Sequence, residues 1–386
     1  MGILIILQKN NDFINRIKKT NKIVVRKIIF IETGVGNPNN IKRMEEFKSR
    51  GYDVVVYAFR RNNNNENVPQ GIDVNIIGEL SSDSSYISRV STIRNGIKSI
   101  VKKHKEDDCV FYLLKNDTAI IYSTVSKHPY IFEEADMTHV NMNKVVGCVL
   151  ENRIKRIIKR SVLSVFRSEG FLQYHFGENR PNNVYVIPNR LHPGILNIEQ
   201  KEYSGLDEKH LKFGFVGGIR YDTIYIFAET VLRHFPQHEF HFYGLFPSES
   251  LEKQFMPLDK YENCFFHGAF RSPNDLPEIY SKIDVLLSAY DVTSINPRFA
   301  EPNKLYEAIY FDKPIIVSSN SFLANKVARL GVGYDVDALS ESAVIDLVRT
   351  IDKKSITKIK ENIAKIDKKT CINCNEDFFN LLERVL

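Results

Sequence analysis

Residues 299–319 read FAEPNKLYEAIYFDKPIIVSS, and they describe a helix, a turn and a strand in that order. Pro302 and Asn303 are typical of a helix start, and an apolar helical run follows them. The letters FDKP indicate a turn, and residues 314–319 predict a short buried strand. A helix that leads into a buried strand is the repeating unit of a parallel α/β sheet.

The same alternation occurs along most of the chain and restarts once. In the first half we predict strands at 27–34, 52–59, 74–80, 108–114, 130–136 and 161–166, with helices that include 40–51 and 88–105. After a polar connector at about 195–210, a strand at 211–219, a helix at 224–236 and strands at 238–244, 263–269, 284–290 and 314–319 are predicted. We therefore expect an α/β protein with two doubly wound, Rossmann-like domains, residues 1–195 and 196–370.

The composition is that of a globular protein without a disulfide framework. Of its residues, 43% are hydrophobic and 26% charged. At 386 residues the chain is too long for one ordinary core. No apolar run reaches the roughly 18–20 residues of a membrane span, and the apolar start MGILIILQKN is too short for a secretory signal. An odd, scattered set of five cysteines favours a reducing compartment. We predict a cytoplasmic protein.

Basic residues cluster at 15–27 and 151–161 within a modest net charge of +6. Such clusters fit phosphates or an anionic membrane surface, and the helix at 151–161 would carry isoleucines on one side and arginines on the other. Ordinary solvated helix faces explain each cluster as well. The sequence shows no nucleic-acid motif, and its aromatic residues are not interleaved with basic ones, so no nucleic-acid partner is expected.

Two glycine-containing turns follow predicted strands, where ligands bind in open parallel sheets. TGVGNPN (33–39) contains Gly34, Gly36 and Asn37, and it lacks the third glycine of the dinucleotide fingerprint. GFVGGIR (214–220) places Arg220 just after a glycine pair, where a guanidinium can bind a phosphate. A tight strand–helix turn remains the simple alternative for both.

EPNKLYEAI (301–309) combines a helix start with a cation and an acid. Asn303 and Lys304 suit an anion, and Glu307, one turn later, can accept hydrogen bonds from vicinal sugar hydroxyls. The alternative is an ordinary amphipathic helix with a surface Lys–Glu pair.

Acids also crowd at FEEADMTH (132–139), which holds Glu133, Glu134, Asp136 and His139. A carboxylate at a strand end can act as a general base, although a solvated acidic loop explains the same letters. CINC (371–374) has metal or redox spacing but lacks a second ligand pair, so no metal site is predicted.

Six segments, taken in order, resemble those of the GT-B glycosyltransferases of family 4 and related bacterial polysaccharide enzymes. They are VIPNRLH, FGFVGGIR, HFYG, FFHGAF, LPEIYSKIDVLLSAYD and EPNKLYEAIYFDKPIIVS. FRSEGF (166–171) is similar to a further sequence element of these glycosyltransferases. The resemblance covers most of residues 130–335. It implies two domains that face each other across a cleft. It also implies that the C-terminal helix, in 371–386, crosses back to the first domain.

The resemblance further implies a nucleotide-sugar donor held by the second domain, with no metal and no other cofactor. Gly217, Gly218, Arg220, Asn303 and Lys304 would then face the diphosphate and Glu307 the ribose, with Tyr290, Glu301 and Leu305 in the same site. Gly34, Gly36 and Asn37 would lie on the acceptor side.

The sequence departs from the family pattern at one acid and at one lysine, since YDTIYIF follows Arg220 without the lysine that is usual there. The family has a second glutamate eight residues before the position of Glu307. Phe299 occupies that position here, and Glu301 is close but out of phase. This leaves retention or inversion of the anomeric centre open. For an inverting reaction, Asp136 is the candidate base and Glu134 the second.

We therefore expect a hexosyltransferase of bacterial surface polysaccharide or capsule synthesis, acting on a saccharide or lipid-linked acceptor, with peripheral membrane contact. A nucleotide-sugar 2-epimerase and a non-catalytic nucleotide-sugar-binding scaffold share this architecture and remain alternatives.

Overall fold

The structure is a computed structural model that describes residues 27–34, 36, 38–61, 71–81, 85–203 and 205–386. Asn37, residues 15–26 of the first basic cluster and most of the polar loop at 61–71 therefore lie outside the described residues. The chain divides into two compact units. The first contains the chain up to Ile187 together with Asn375–Leu386, and the second contains Pro188–Cys374.

The first unit is built on a seven-stranded parallel sheet with the order β3-β2-β1-β4-β5-β6-β7. Its strands are β1 Lys27–Glu32, β2 Asp53–Arg61, β3 Val74–Leu80, β4 Cys109–Leu114, β5 Tyr130–Glu134, β6 Leu163–Phe166 and β7 Val184–Val186. Its helices are α1 Pro38–Ser49, α2 Tyr86–Lys103, α3 Asn116–Val125, α4 Lys144–Arg160, α5 Glu169–Phe176 and, at the end of the chain, α14 Glu376–Val385.

The central strands of this sheet are buried on both faces, as their unbroken apolar sequence predicts. Ile28, Ile29, Phe30 and Ile31 of β1 are fully buried, and β1 pairs in parallel with both β2 and β4. Because the strands are parallel, their carboxyl ends meet at one edge of the sheet. That edge holds Glu133 and Glu134 at the end of β5.

The C-terminal helix α14 completes the core of the first unit. Phe378, Phe379 and Leu382 are buried with Phe47 of α1, and the rings of Phe47 and Phe379 lie 5.0 Å apart, edge to face. Burying each phenylalanine contributes about 1.5–3 kcal/mol. Apolar burial therefore ties the last ten residues to the first unit.

The second unit is built on a six-stranded parallel sheet with the order β10-β9-β8-β11-β12-β13. Its strands are β8 Lys212–Val216, β9 Glu239–Tyr243, β10 Cys264–Phe266, β11 Val285–Ser288, β12 Ile315–Ser318 and β13 Gly333–Val336. Its helices are α6 Asp222–His234, α7 Glu249–Phe255, α8 Leu276–Ser281, α9 Ile295–Phe299, α10 Lys304–Tyr310, α11 Phe322–Leu330, α12 Glu341–Thr350 and α13 Lys353–Ala364.

The boundaries of the two units differ from residues 195 and 370. Leu191 and Ile195, placed by the sequence in or beside a polar connector, are buried in the core of the second unit. Leu191 also forms a parallel bridge to Ile372, and its amide donates to the carbonyl of Cys371. The units therefore divide after Ile187 and after Cys374, because the apolar residues on either side of these points pack into different cores.

The sequence prediction also missed β13. Its four residues, GYDV, are too short and too polar to show strand periodicity, and they become a strand by pairing with β12. Within the described residues, no helix has both the length and the apolar character that crossing a bilayer requires.

Candidate functional site

The glycine turn after β8 lies against a second glycine turn after β9. Gly217, with φ 144°, donates its amide to the carbonyl of Tyr243 at 2.8 Å. A Cβ added to Gly244, whose φ is 142°, would lie 1.9 Å from the carbonyl oxygen of Gly217. Only glycine permits this backbone contact. A Cβ on Gly218 would meet no described atom within 4 Å, so this turn presents backbone to open space.

Lys304 lies beside the same turn, although it is distant in sequence. A Cβ on Gly217 would be 3.6 Å from Cε of Lys304, and Lys304 as a whole is 5% exposed. The structure therefore joins a buried ammonium to a glycine turn with room beside it. Backbone amides and a cation together are the elements of an anion-binding site.

Glu307 gathers the polar groups around this ammonium. One carboxylate oxygen accepts from Lys304 at 2.7 Å and from the Tyr280 hydroxyl, and the other accepts from the Asn303 side chain at 2.7 Å. Lys304 and Glu307 are both buried, so the alternative of a surface pair is wrong. Glu307 therefore neutralises the charge of Lys304, and an anion that binds Lys304 would take over this role.

Glu301 is also buried, at 3% exposure, directly before Pro302. One carboxylate oxygen accepts hydrogen bonds from Lys326 and from the Tyr306 hydroxyl. The other oxygen is buried and has no hydrogen-bond partner among the described residues. A buried acceptor without a donor is unfavourable, and a ligand hydroxyl would satisfy it.

The remaining residues predicted for this site have different positions. Arg220 is exposed, with its guanidinium 5.1 Å from the ring centre of Tyr221. Tyr290 follows β11, and burial raises its pKa to about 12. Leu305 does not line the site, because its side chain is fully buried in the core and its amide donates to the Pro302 carbonyl.

In the first unit, Glu133 is fully buried at the end of β5 and serves an internal ion pair. Arg43 donates to it at 3.3 Å, and Arg167 and the Tyr112 hydroxyl donate as well. Burial acts to raise the pKa of Glu133, but Arg167 and Arg43 outweigh burial and lower it overall. Glu133 is thus a permanent counter-ion for two arginines.

Glu134, the next residue, belongs to a closed ring of five buried or half-buried side chains. His175 lies between two acids, with Nε2 2.7 Å from Glu134 and Nδ1 2.8 Å from Glu151. The other oxygen of Glu151 lies 2.6 Å from Nε2 of His139. The Asn116 amide nitrogen closes the ring, 2.9 Å from Glu134 and 3.1 Å from Nδ1 of His139.

The charges of this ring support one another. Burial acts to lower the pKa of His175, but Glu134 and Glu151 outweigh burial and raise it to about 9. Burial likewise acts to raise the pKa of Glu151, and hydrogen bonds from His139 and His175 reverse the effect and lower it. Both oxygens of Glu134 are engaged and the residue has no exposed surface. Glu134 is therefore not placed to take a proton directly from a substrate.

Asp136 is exposed, and it lies two residues after Glu134 and three before His139. The two flanking residues are both fixed in the buried ring, so the segment that bears Asp136 is anchored on each side. Of the two candidate bases, Asp136 is the one whose surface a substrate can reach.

Glu32 ends β1 at the same edge of the sheet. It is buried and accepts a hydrogen bond from Asn40. Burial raises its pKa to about 7, against the opposing effect of Asn40. Gly34 and Gly36 follow it, and Gly36 has a left-handed φ of 96°. Asn37 lies outside the described residues.

Sequence reasoning missed His175, Glu151 and Tyr280 as members of these clusters. His175 ends an apolar helix, EGFLQYHF, and a buried histidine there needs polar partners. That was the available signal, but nothing local identifies Glu151, 24 residues away, as the partner.

Comparison with known proteins rests on the fold. No protein-family model and no curated protein matches the sequence. Solved structures do match over most of the chain. Sucrose-phosphate synthase from Thermosynechococcus elongatus superposes with a TM-score of 0.68 at 13% identity, covering 93% of this chain and 99% of that one.

Two further structures are similar in the same way. Anabaena HepE in complex with UDP-glucose gives a TM-score of 0.65 at 14% identity, covering 92% of this chain and 99% of that one. WaaG, a glycosyltransferase involved in lipopolysaccharide biosynthesis, gives 0.57 at 16% identity, covering 88% and 94%. The chain has the GT-B fold, and the predicted fold class is confirmed.

Proposed function

We propose that the protein is a glycosyltransferase that moves a sugar from a nucleoside-diphosphate sugar to a saccharide or lipid-linked acceptor in bacterial surface polysaccharide synthesis. The observation that supports it best is the position of Lys304 beside the open Gly217–Gly218 turn. The fold agrees with this proposal, since HepE of the same fold was solved with UDP-glucose and WaaG acts in lipopolysaccharide synthesis.

In this proposal the diphosphate binds the amides of the glycine turn and the ammonium of Lys304. These groups stabilise the negative charge that grows on the leaving nucleoside diphosphate, which is the main electrostatic task in such a transfer. Once Lys304 turns to the phosphates, one oxygen of Glu307 keeps only Tyr280 as a donor and can accept a hydrogen bond from a ribose hydroxyl. The unpartnered oxygen of Glu301 accepts a hydrogen bond from a hydroxyl of the bound nucleotide sugar.

Asp136 is proposed as the general base that accepts the proton of the attacking acceptor hydroxyl. Its exposure supports this role, and the anchored segment around it restricts where the carboxylate can go. Glu134, whose oxygens are both occupied, holds that segment in place.

Contact with a membrane is proposed through a surface other than the one the sequence indicated. The isoleucines Ile154, Ile157 and Ile158 of α4 are buried in the core and are unavailable to lipid. An exposed apolar stripe lies earlier on the same helix and just before it: Met142, Val145, Val146 and Val149. Basic residues at the far end of α4, including Lys159 and Arg160, suit an anionic surface.

The donor site is tested by calorimetric titration with nucleoside diphosphates and their sugar conjugates. We expect Lys304→Ala to weaken nucleoside-diphosphate binding about 10–100-fold, the equivalent of one charge-assisted hydrogen bond of 1.5–3 kcal/mol. Lys282→Ala is the matched control, because Lys282 also pairs with a glutamate, Glu278, but on the surface. Equal binding by the Lys304 and Lys282 variants would contradict the phosphate assignment.

The reaction is tested by release of nucleoside diphosphate with and without acceptor. A transferase releases it in proportion to acceptor, whereas an epimerase changes the donor sugar without stoichiometric release. Asp136→Asn is expected to abolish transfer and to retain donor binding, and the exposed Asp108→Asn, before β4, serves as control. Full activity of Asp136→Asn would remove Asp136 as the base.

Flotation with anionic and neutral vesicles tests the membrane surface. Val145→Asn together with Val149→Asn should reduce binding to vesicles of phosphatidylglycerol at unchanged thermal stability. Equal vesicle binding by the wild type and by the double variant would exclude this apolar stripe as the membrane contact.

A further inference from the structure

The first unit contains a cluster of donor atoms that the proposed transfer does not use. His139, Glu151 and His175 each offer one ligand atom, and these atoms all lie within 4.8 Å of one another. They come from three different elements: the 3-10 turn Thr138–Asn141, α4 and α5. Both histidines are buried and Glu151 is nearly so.

We propose that these three residues bind a divalent transition-metal ion of the Zn²⁺ class. Two imidazole nitrogens and a carboxylate oxygen are the ligands that Zn²⁺ prefers, with a solvent molecule as the fourth. The two nitrogens approach different oxygens of the same carboxylate, at 2.6 and 2.8 Å. Donors of a tetrahedral zinc ion with bonds of about 2.0–2.1 Å lie about 3.3 Å apart, so a small outward shift admits the ion.

The surroundings of the cluster match those of metal-bound histidines. A metal-ligating histidine usually donates its other ring N–H to a carboxylate, which fixes the tautomer. His175 does this, since Nε2 lies 2.7 Å from Glu134 while Nδ1 faces Glu151. Glu134 therefore occupies the position of an orienting partner, in agreement with its complete burial.

Asn116 provides the second, independent observation. Its side-chain oxygen is buried and has no hydrogen-bond partner among the described residues. The side-chain nitrogen lies 3.1 Å from Nδ1 of His139. A half-turn of the amide would bring the oxygen to that ring nitrogen, where a metal-bound His139 carries its proton. The same half-turn would set the amide oxygen against the Glu134 oxygen that now accepts from Asn116 at 2.9 Å, so the Asn116 side chain must also turn away from Glu134 when the ion binds.

Two groups oppose the ion: a proton on Nδ1 of His175, which must leave before that nitrogen can bind a metal, and the ammonium of Lys155. Lys155 lies 3.0 Å from the oxygen of Glu151 that His175 also contacts. Its side chain is one-third exposed, so the ammonium can turn to solvent when the ion enters. The ion would then join the segment after Asp136 to α4 and α5, and it would stabilise the anchored segment that carries the proposed base.

The test is zinc binding by the full chain. After dialysis against a chelator, titration with Zn²⁺ alone should give one ion per chain. Saturation at 100 times the dissociation constant should raise Tm by about 5–10 °C. Co²⁺ in place of Zn²⁺ should give the intense visible absorption of tetrahedral nitrogen and oxygen ligation.

Variants separate this site from adventitious binding. His139→Gln and His175→Gln should each weaken Zn²⁺ binding by at least about 100-fold, and Glu134→Gln by about 10–100-fold through the orientation of His175. His234→Gln is the matched control, because His234 forms a surface pair with Glu341 at 2.7 Å. It should bind Zn²⁺ like the wild type.

The proposal is overturned if the chelated wild type takes up no Zn²⁺, or if folded His139→Gln and His175→Gln bind it as tightly as the wild type and His234→Gln, which would mean adventitious binding only. If a ligand variant fails to fold by circular dichroism, the Co²⁺ spectrum of the wild type and the affinity of Glu134→Gln decide. An octahedral Co²⁺ spectrum, or an unchanged Zn²⁺ affinity of Glu134→Gln, would contradict the metal site. The ring of Glu134, His175, Glu151, His139 and Asn116 would then be a hydrogen-bonded network only.

Discussion

The buried pair of Lys304 and Glu307 makes a quantitative prediction that a double-mutant cycle can test. The changes are Lys304→Met, which keeps most of the aliphatic stem, Glu307→Gln, which keeps the shape of the acid, and the two together. Side-chain exposure of 7% and 3% and a separation of 2.7 Å place the pair out of solvent.

The magnitude follows from what each variant leaves unpaired. Removing one partner of a buried ion pair costs about 3–5 kcal/mol because the other charge stays buried. Glu307 would keep Tyr280 and Asn303 as donors, so we expect the lower value, about 3 kcal/mol, for Lys304→Met. A similar value is expected for Glu307→Gln. The double variant leaves no charge and should cost only about 2 kcal/mol, so the coupling is about 4 kcal/mol.

Urea unfolding of the four proteins, followed by far-ultraviolet circular dichroism, measures these values; tryptophan fluorescence is not an option because the chain has none. The exposed pair of Lys282 and Glu278, also 2.7 Å apart, gives a matched cycle whose coupling is expected to be far smaller, because solvent screens both charges. If the two cycles give equal coupling, burial does not govern the Lys304–Glu307 pair and the reasoning is refuted.

Two further predictions concern Glu32 and the paired glycine turns. Because burial raises the folded-state pKa of Glu32 to about 7, its contribution to stability is complete below its ordinary value of 4.5 and is lost as the pH rises through 7. Glu32→Gln should therefore be about 3 kcal/mol more stable than wild type at pH 8 and nearly equal at pH 4.5, in urea unfolding at both values. Glu45→Gln, at an exposed position, serves as the control for the change of side chain. Gly244→Ala, whose Cβ would meet the Gly217 carbonyl, should lose more than about 3 kcal/mol in the same assay. Gly218→Ala should stay within about 1 kcal/mol of wild type but weaken nucleoside-diphosphate binding, and equal stability of the two alanine variants would contradict the close contact.

The sequence predicted the fold class and most of the strands because unbroken apolar runs between helical segments have one favourable outcome, a parallel sheet covered on both faces. β3 lies where the pattern placed it, at 74–80, and β8 and β11 differ from prediction only at their ends. The motif around Lys304 was also visible, since a helix start with a cation is a local feature. β13 was not, because its strand character depends on the neighbouring β12.

Only the tertiary structure decided what the acids at the end of β5 do. Successive residues of a strand point to opposite faces of its sheet, so Glu133 meets Arg43 and Arg167 whereas Glu134 meets His175. Glu151 joins that second group from another helix. Sequence letters give the residue types near a strand end, but the free energy of a buried charge depends on partners that folding brings from distant segments. The sequence by itself therefore determined the architecture and the candidate residues, and the packing inside each unit determined which of them are counter-ions and which remain available for chemistry.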